Sequence, residues 1–115
     1  MSQVIEDIEL SIEQARRMVK LGQMAQNLAV NKDFKELVID GYFRDEAARM
    51  THLYADPNIS EEIRAHVHRD IVGPGAFKRY LSGIVQMGNA AAREILEAEE
   101  TLVEVRQEME GEVIN

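Results

Sequence analysis

Apolar residues recur every three then four positions from Leu81 to Met109: Leu81, Ile84, Gly88, Ala91, Ile95, Ala98, Leu102, Val105 and Met109. That spacing predicts one long helix with a single apolar stripe. Between the stripe positions stand Arg93, Glu94, Glu97, Glu99, Glu100, Glu104 and Glu108, as expected of a solvated face. A second seam lies near the N-terminus: Ile5, Ile8, Ile12, Ala15, Val19, Gly22, Gln26 and Ala29.

Laid antiparallel, the two seams match in a register that sets Gly22 opposite Gly88. Ile8 then meets Leu102, Ile12 meets Ala98, Ala15 meets Ile95 and Val19 meets Ala91. Large residues face small ones, as in an interdigitated core. The same seams can also pair between chains, and the pattern leaves that choice open. Two heptad patterns align at several registers, so the match of the glycines is an expectation for the structure to test.

The pattern predicts an all-α fold in one domain, residues 1–115, with helices over 2–30, 33–55, 59–72 and 76–110. Asn31 and Asp33 are both suitable N-caps for the second helix. Its apolar face begins at Phe34, Leu37 and Val38, then shifts phase after Gly41 to Phe43, Ala47, Met50 and Tyr54, which predicts a kink or a break at Gly41. Asp56-Pro57-Asn58 reads as a turn, with Asn58 or Ser60 capping the third helix. Ile59, Ile63, Val67 and Ile71 form a short stripe, and Gly73-Pro74-Gly75 is expected to end it. All three phenylalanines and all three tyrosines lie between Phe34 and Tyr80. The expected architecture is therefore a two-helix head from the middle of the chain and a coiled-coil-like stalk of paired terminal helices.

Charge narrows the partners. The net charge is −8, and residues 81–115 carry two basic and eight acidic side chains. An acidic terminal helix argues against direct nucleic-acid binding, because phosphate affinity comes from Lys and Arg. On the pairing drawn above, Glu6, Asp7, Glu9 and Glu13 would also crowd against the acids that run from Glu94 to Glu112. Arg44, Arg49, Arg64, Arg69, Lys78 and Arg79 fall in the middle, where interleaved acids nearly cancel them and local ion pairing is the expectation. There is no cysteine, hence no disulfide framework and no thiolate metal site. No apolar run approaches the length of a membrane span, and the acidic start is wrong for a signal peptide. The expected location is the cytoplasm.

Candidate chemistry is sparse. His66 and His68 are two apart and point to different sides of a helix, whereas a two-histidine helical site needs spacings of three or four. Glu62 and His66 have that spacing, but no second pair accompanies them, as a carboxylate-bridged dimetal bundle requires. Carboxylate pairs such as Glu94 with Glu97 fall off the apolar seam, on the solvated face. No Ser-His-Asp order, Walker loop or dinucleotide fingerprint occurs. The expectation is a protein with no cofactor, no metal and no catalytic residues.

The stretch Phe34-Lys35-Glu36-Leu37-Val38-Ile39-Asp40-Gly41-Tyr42-Phe43, with Glu46-Ala47-Ala48-Arg49-Met50 after it, resembles segments of small helical proteins of tailed bacteriophages. The resemblance covers about residues 28–96 and implies a virion or head-assembly protein, in host cytoplasm or virion. It carries no site residues.

Met18, Leu21, Met24 and Leu28 lie beside the first seam and widen its apolar stripe beyond what one hairpin covers. Together with Gly22, Gly88, Ala91, Ile95 and Leu102 on the seams themselves, they make the candidate interface. The functional expectation is a non-enzymatic oligomeric adaptor, most simply a two-fold dimer, that presents a face to an unknown protein partner. The alternative is a small acidic regulator that occupies a basic site on a host enzyme or nucleic-acid-binding protein.

Overall fold

A computed structural model describes residues 2–114, and their side chains as far as residue 112. The described chain is helical throughout apart from two short connections. Helix α1 spans Ser2–Val30. The middle helix is one continuous run made of a short α2, Lys32–Phe34, a π-helical segment, Lys35–Glu46, and α3, Ala47–Tyr54. Helix α4 spans Glu61–Ile114. No described helix is long and apolar enough to cross a membrane.

The boundaries follow from local chemistry. Asn31 caps the middle helix: its Oδ1 accepts from Phe34 N at 2.9 Å, which satisfies one of the donors a helix start leaves open. At the far end, Asp56 Oδ1 accepts from Asn58 N at 2.9 Å and makes the turn. Ser60 then caps α4, with its Oγ accepting from Ile63 N at 3.2 Å.

Two expectations are corrected here. Gly73-Pro74-Gly75 does not end a helix, so the predicted helices 59–72 and 76–110 are one, and the middle of the chain contributes one complete helix rather than two. Pro74 removes only one backbone donor, the one that would reach Asp70 four residues back. Its ring is buried, and neither flanking glycine takes a positive φ. The second correction concerns Gly41. The middle helix does not break there, and the chain around it, Lys35–Glu46, is wound as a π-helix, which absorbs the phase shift. Its wider turn, bonding i to i+5, changes which residues share a face.

The Cα positions fall into two compact units. The first joins α1 up to Met24 with α4 from Ile84 onward; the second is Ala25–Gly83. In the first unit the two terminal helices pack antiparallel within one chain. The buried residues are the seam residues Ile12, Ala15, Gly22, Gly88, Ala91 and Leu102. A Cβ built on Gly22 would lie 3.0 Å from Gly88 Cα, so the expected register is the observed one. An ion pair across the helices agrees with it, Arg106 Nη2 to Glu9 Oε1 at 3.1 Å. That contact also gives one of the expected crowded acids a cationic neighbour. Past Gly22, the α1 seam positions Gln26 and Ala29 are exposed.

In the second unit the middle helix packs against the first part of α4. Val67 and Pro74 are buried there. Phe43 meets Phe77 edge-on at 5.4 Å between ring centroids, and Tyr42 lies beside Phe43 at 5.9 Å.

Candidate interaction surface

The candidate interface residues divide into two sets by what they touch. Gly22, Gly88, Ala91 and Leu102 are buried and Ile95 is half-buried, all in the seam between α1 and α4 of the same chain. Their apolar surface is already used. Ala91 keeps 5% and Leu102 8% of its surface exposed, which leaves little for a partner.

Met18, Leu21 and Met24 behave differently. They step around α1 three residues at a time, away from the seam, so their side chains turn progressively outward. Met18 is half-buried, Leu21 is 42% exposed and Met24 is 53% exposed. Met87, the neighbour of the buried Gly88, is exposed as well. The first unit thus carries exposed apolar side chains, interleaved with the exposed Arg17 and Lys20, beside the place where its two backbones come closest. Leu28 is also exposed but belongs to the second unit, so the structure does not bring it together with the others in one unit.

Other outward apolar residues escaped the seam-based reading. Leu96 and Val103 stand seven apart, each one position past a seam residue, and both are exposed. Val4 and Leu10 are exposed on α1. Val4 shares a shallow groove of about 380 Å³ with Asp7, Ile8, Ser11, Ala98 and Thr101. The signal for Leu96 and Val103 was their heptad spacing, hidden among the glutamates of the same face.

The second unit gathers the polar chemistry. Arg64 donates to the backbone oxygens of Tyr54 and, at 3.1 Å, Asp56, so its guanidinium closes the C-terminal end of α3. The same group stands 5.6 Å from the centre of the Tyr54 ring, and His68 lies 5.8 Å from that ring on centroids. An open groove of about 410 Å³ is lined by Tyr54, Glu61, Arg64, Ala65, His68 and Arg69.

Three arginines of this unit pair with nearby acids. Arg44 bonds Asp45 at 2.9 Å, Arg49 bonds Glu46 at 2.6 Å, and Arg64 lies 3.5 Å from Glu61. The hydrogen bond from Arg49, helped by its charge, holds the Glu46 carboxyl below its ordinary value. Arg69 Nη2 and His66 Nδ1 are 2.8 Å apart. Among the described residues no three His, Asp or Glu side chains are grouped to hold a metal, and no buried side-chain polar atom lacks a partner. What the arrangement offers is exposed apolar surface on the first unit and, on the second, a polar surface with three locally paired arginines. No family model, curated protein or solved structure matches the chain.

Proposed function

We propose that this chain works by binding rather than catalysis, and that it assembles with copies of itself, most simply as a two-fold dimer. The observation that carries the reading is that Leu21, Met24 and Met87 are left in solvent, with the half-buried Met18 among them, beside a seam that is already complete. A pair of helices has one contact seam, and apolar residues beside it need a further helix to cover them. Isologous pairing supplies two more helices at once, because the same patch on each copy serves as partner to itself. Methionine suits such a surface, since its unbranched side chain adapts to what it meets.

An assembling role supports the setting implied by the likeness of residues 34–50 to phage proteins, a helical adaptor in virion or head assembly. The acids from Glu94 to Glu112 support the other reading, a regulator that occupies a basic site.

Analytical sedimentation at tens of micromolar tests the proposal. The expected result is a mass of at least two chains, falling to one chain when Leu21→Glu and Met24→Glu are combined. A wild-type monomer would overturn it. Salt-sensitive binding of that monomer to a basic protein would then favour the regulator.

A further inference from the structure

We propose that Lys35–Glu46 is a register switch. It is wound as a π-helix while Tyr42 and Phe43 are seated against the proline turn of α4, and rewinds into the α register when they are released. The inference goes beyond self-assembly and does not rest on it.

Long π-helical winding is rare, and elsewhere it occurs mostly as single turns inside α-helices. Lys35–Glu46 holds it for 12 residues. Nothing in its sequence forbids the α form: it contains no proline, and Lys, Glu, Leu and Arg are good α-helix formers. The segment buries no residue fully. Contacts from outside must therefore select the wider winding.

Two such contacts are present, and both fall on α4 around Pro74. A Cβ on Gly73 would stand 3.1 Å from Tyr42 Oη, so the hydroxyl occupies space that only glycine leaves open there. One turn further along α4, Phe77 takes the edge of Phe43 at 5.4 Å. Between them Pro74 withholds the donor that would bond Asp70 O. The π-helical segment is thus in contact with the turn of α4 that lacks one backbone donor.

The apolar pattern supplies the second state. Continued at α spacing, the face of Phe34, Leu37 and Val38 leads to Gly41, Tyr42 and Asp45, and misses Phe43, Ala47, Met50 and Tyr54. Each register gathers a different set of residues on one face. Tighter α winding, at 3.6 residues per turn, rotates everything after Glu46 about the helix axis and lengthens the segment. That motion carries the carbonyls of Tyr54 and Asp56 away from Arg64 and opens its clasp. Asp40 and Arg44, 3.9 Å apart in the π form, hold the i,i+4 spacing that an α turn favours for an ion pair.

The test is solution NMR of the full chain, reading contacts between residues i and i+5 against i and i+4 over 35–46. The variants are Gly73→Ala, which drives a methyl into Tyr42, and Tyr42→Ala, which removes the seated ring without adding bulk. Gly83→Ala is the control, since a Cβ there meets nothing within 4 Å. Wild type and control are expected to show the i,i+5 pattern, and both switch variants to lose it and show i,i+4. Tyr42→Ala is decisive, and also serves if Gly73→Ala does not fold. Persistence of i,i+5 contacts in Tyr42→Ala overturns the switch, as does melting of 35–46 to coil, because a switch has two ordered states. An i,i+4 pattern already in the wild type overturns it as well.

Discussion

Gly22 and Gly88 face each other where α1 and α4 come closest: a Cβ on Gly88 would lie 2.9 Å from Gly22 Cα, and one on Gly22 would lie 3.0 Å from Gly88 Cα. Real Cβ atoms essentially never come under 3.0 Å and rarely come as near as 3.0 Å, and the atom met is backbone at both positions, so a methyl at either one has to shift the helices. Overpacking of this kind costs about 1–3 kcal/mol, more than the gain of up to about 1 kcal/mol from replacing Gly by Ala in a helix. Gly22→Ala and Gly88→Ala are each expected to destabilise the protein in chemical denaturation. The double variant should depart from the sum of the two, because both methyls compete for one gap. Gly83→Ala, with open space around it, should stabilise. Additive gains in both crossing variants would contradict the close approach.

The ion pair of Glu9 and Arg106 reports the same register farther along. Both side chains are 53% exposed, so the pair is screened by solvent and contributes little. Arg106→Glu is expected to lower stability by no more than about 1 kcal/mol. Adding Glu9→Arg should recover the loss at low salt. A double-mutant cycle measures it, and zero coupling at low ionic strength would mean that the two side chains do not meet in solution.

Much of this fold was legible in the spacing of Ile5 to Gly22 and Leu81 to Met109. A three-four repeat calls for a helix with one apolar stripe, and of the several registers that two such stripes allow, the one that sets Gly22 opposite Gly88 is the one observed. The run through Pro74 was not legible. A proline costs one hydrogen bond and a local clash, and whether the helix survives depends on tertiary neighbours that spacing cannot reveal. The shift after Gly41 was visible as a change of apolar phase, but a kink and a π segment produce the same shift. They separate only in the backbone, where Lys35–Glu46 takes the π-helical bonding of i to i+5. Of the candidate surface, Met18, Leu21 and Met24 could be read as excess beside a seam. Leu96 and Val103 could not, because single apolar residues on a charged helix face are ordinary surface.

Arg64 closes the end of α3 through the carbonyls of Tyr54 and Asp56, and its side chain is 24% exposed. Arg64→Ala removes the donors from both oxygens, and a group left unsatisfied costs about 1–3 kcal/mol where water does not replace the donor. Arg64→Lys should recover only part of the loss, since a lysine ammonium lacks the planar fork that serves two acceptors. Hydrogen exchange of the amides around Tyr54 is expected to quicken in both, more in Arg64→Ala. Unchanged exchange in Arg64→Ala would remove the clasp from the account.

The Glu46 carboxyl lies below its ordinary value because Arg49 bonds its charged form. A carboxyl lowered on folding adds stability above its unfolded value, and that contribution is lost as pH falls through the folded value. The melting temperature of Glu46→Gln should therefore lie slightly below wild type at neutral pH. The gap should close as pH drops below the ordinary glutamate value of about 4.3. A gap that widens toward acid would mean that Glu46 is not held by Arg49.

If the flank of Met18, Leu21, Met24 and Met87 is covered by a second copy, folding and association are linked, and stability depends on protein concentration. The direct measurement is the melting temperature of the wild type over a hundredfold range of dilution in one buffer. The account predicts that it falls steadily on dilution, and that Leu21→Glu with Met24→Glu starts lower and no longer responds to concentration. A wild-type melting temperature that stays constant across the range would contradict self-assembly.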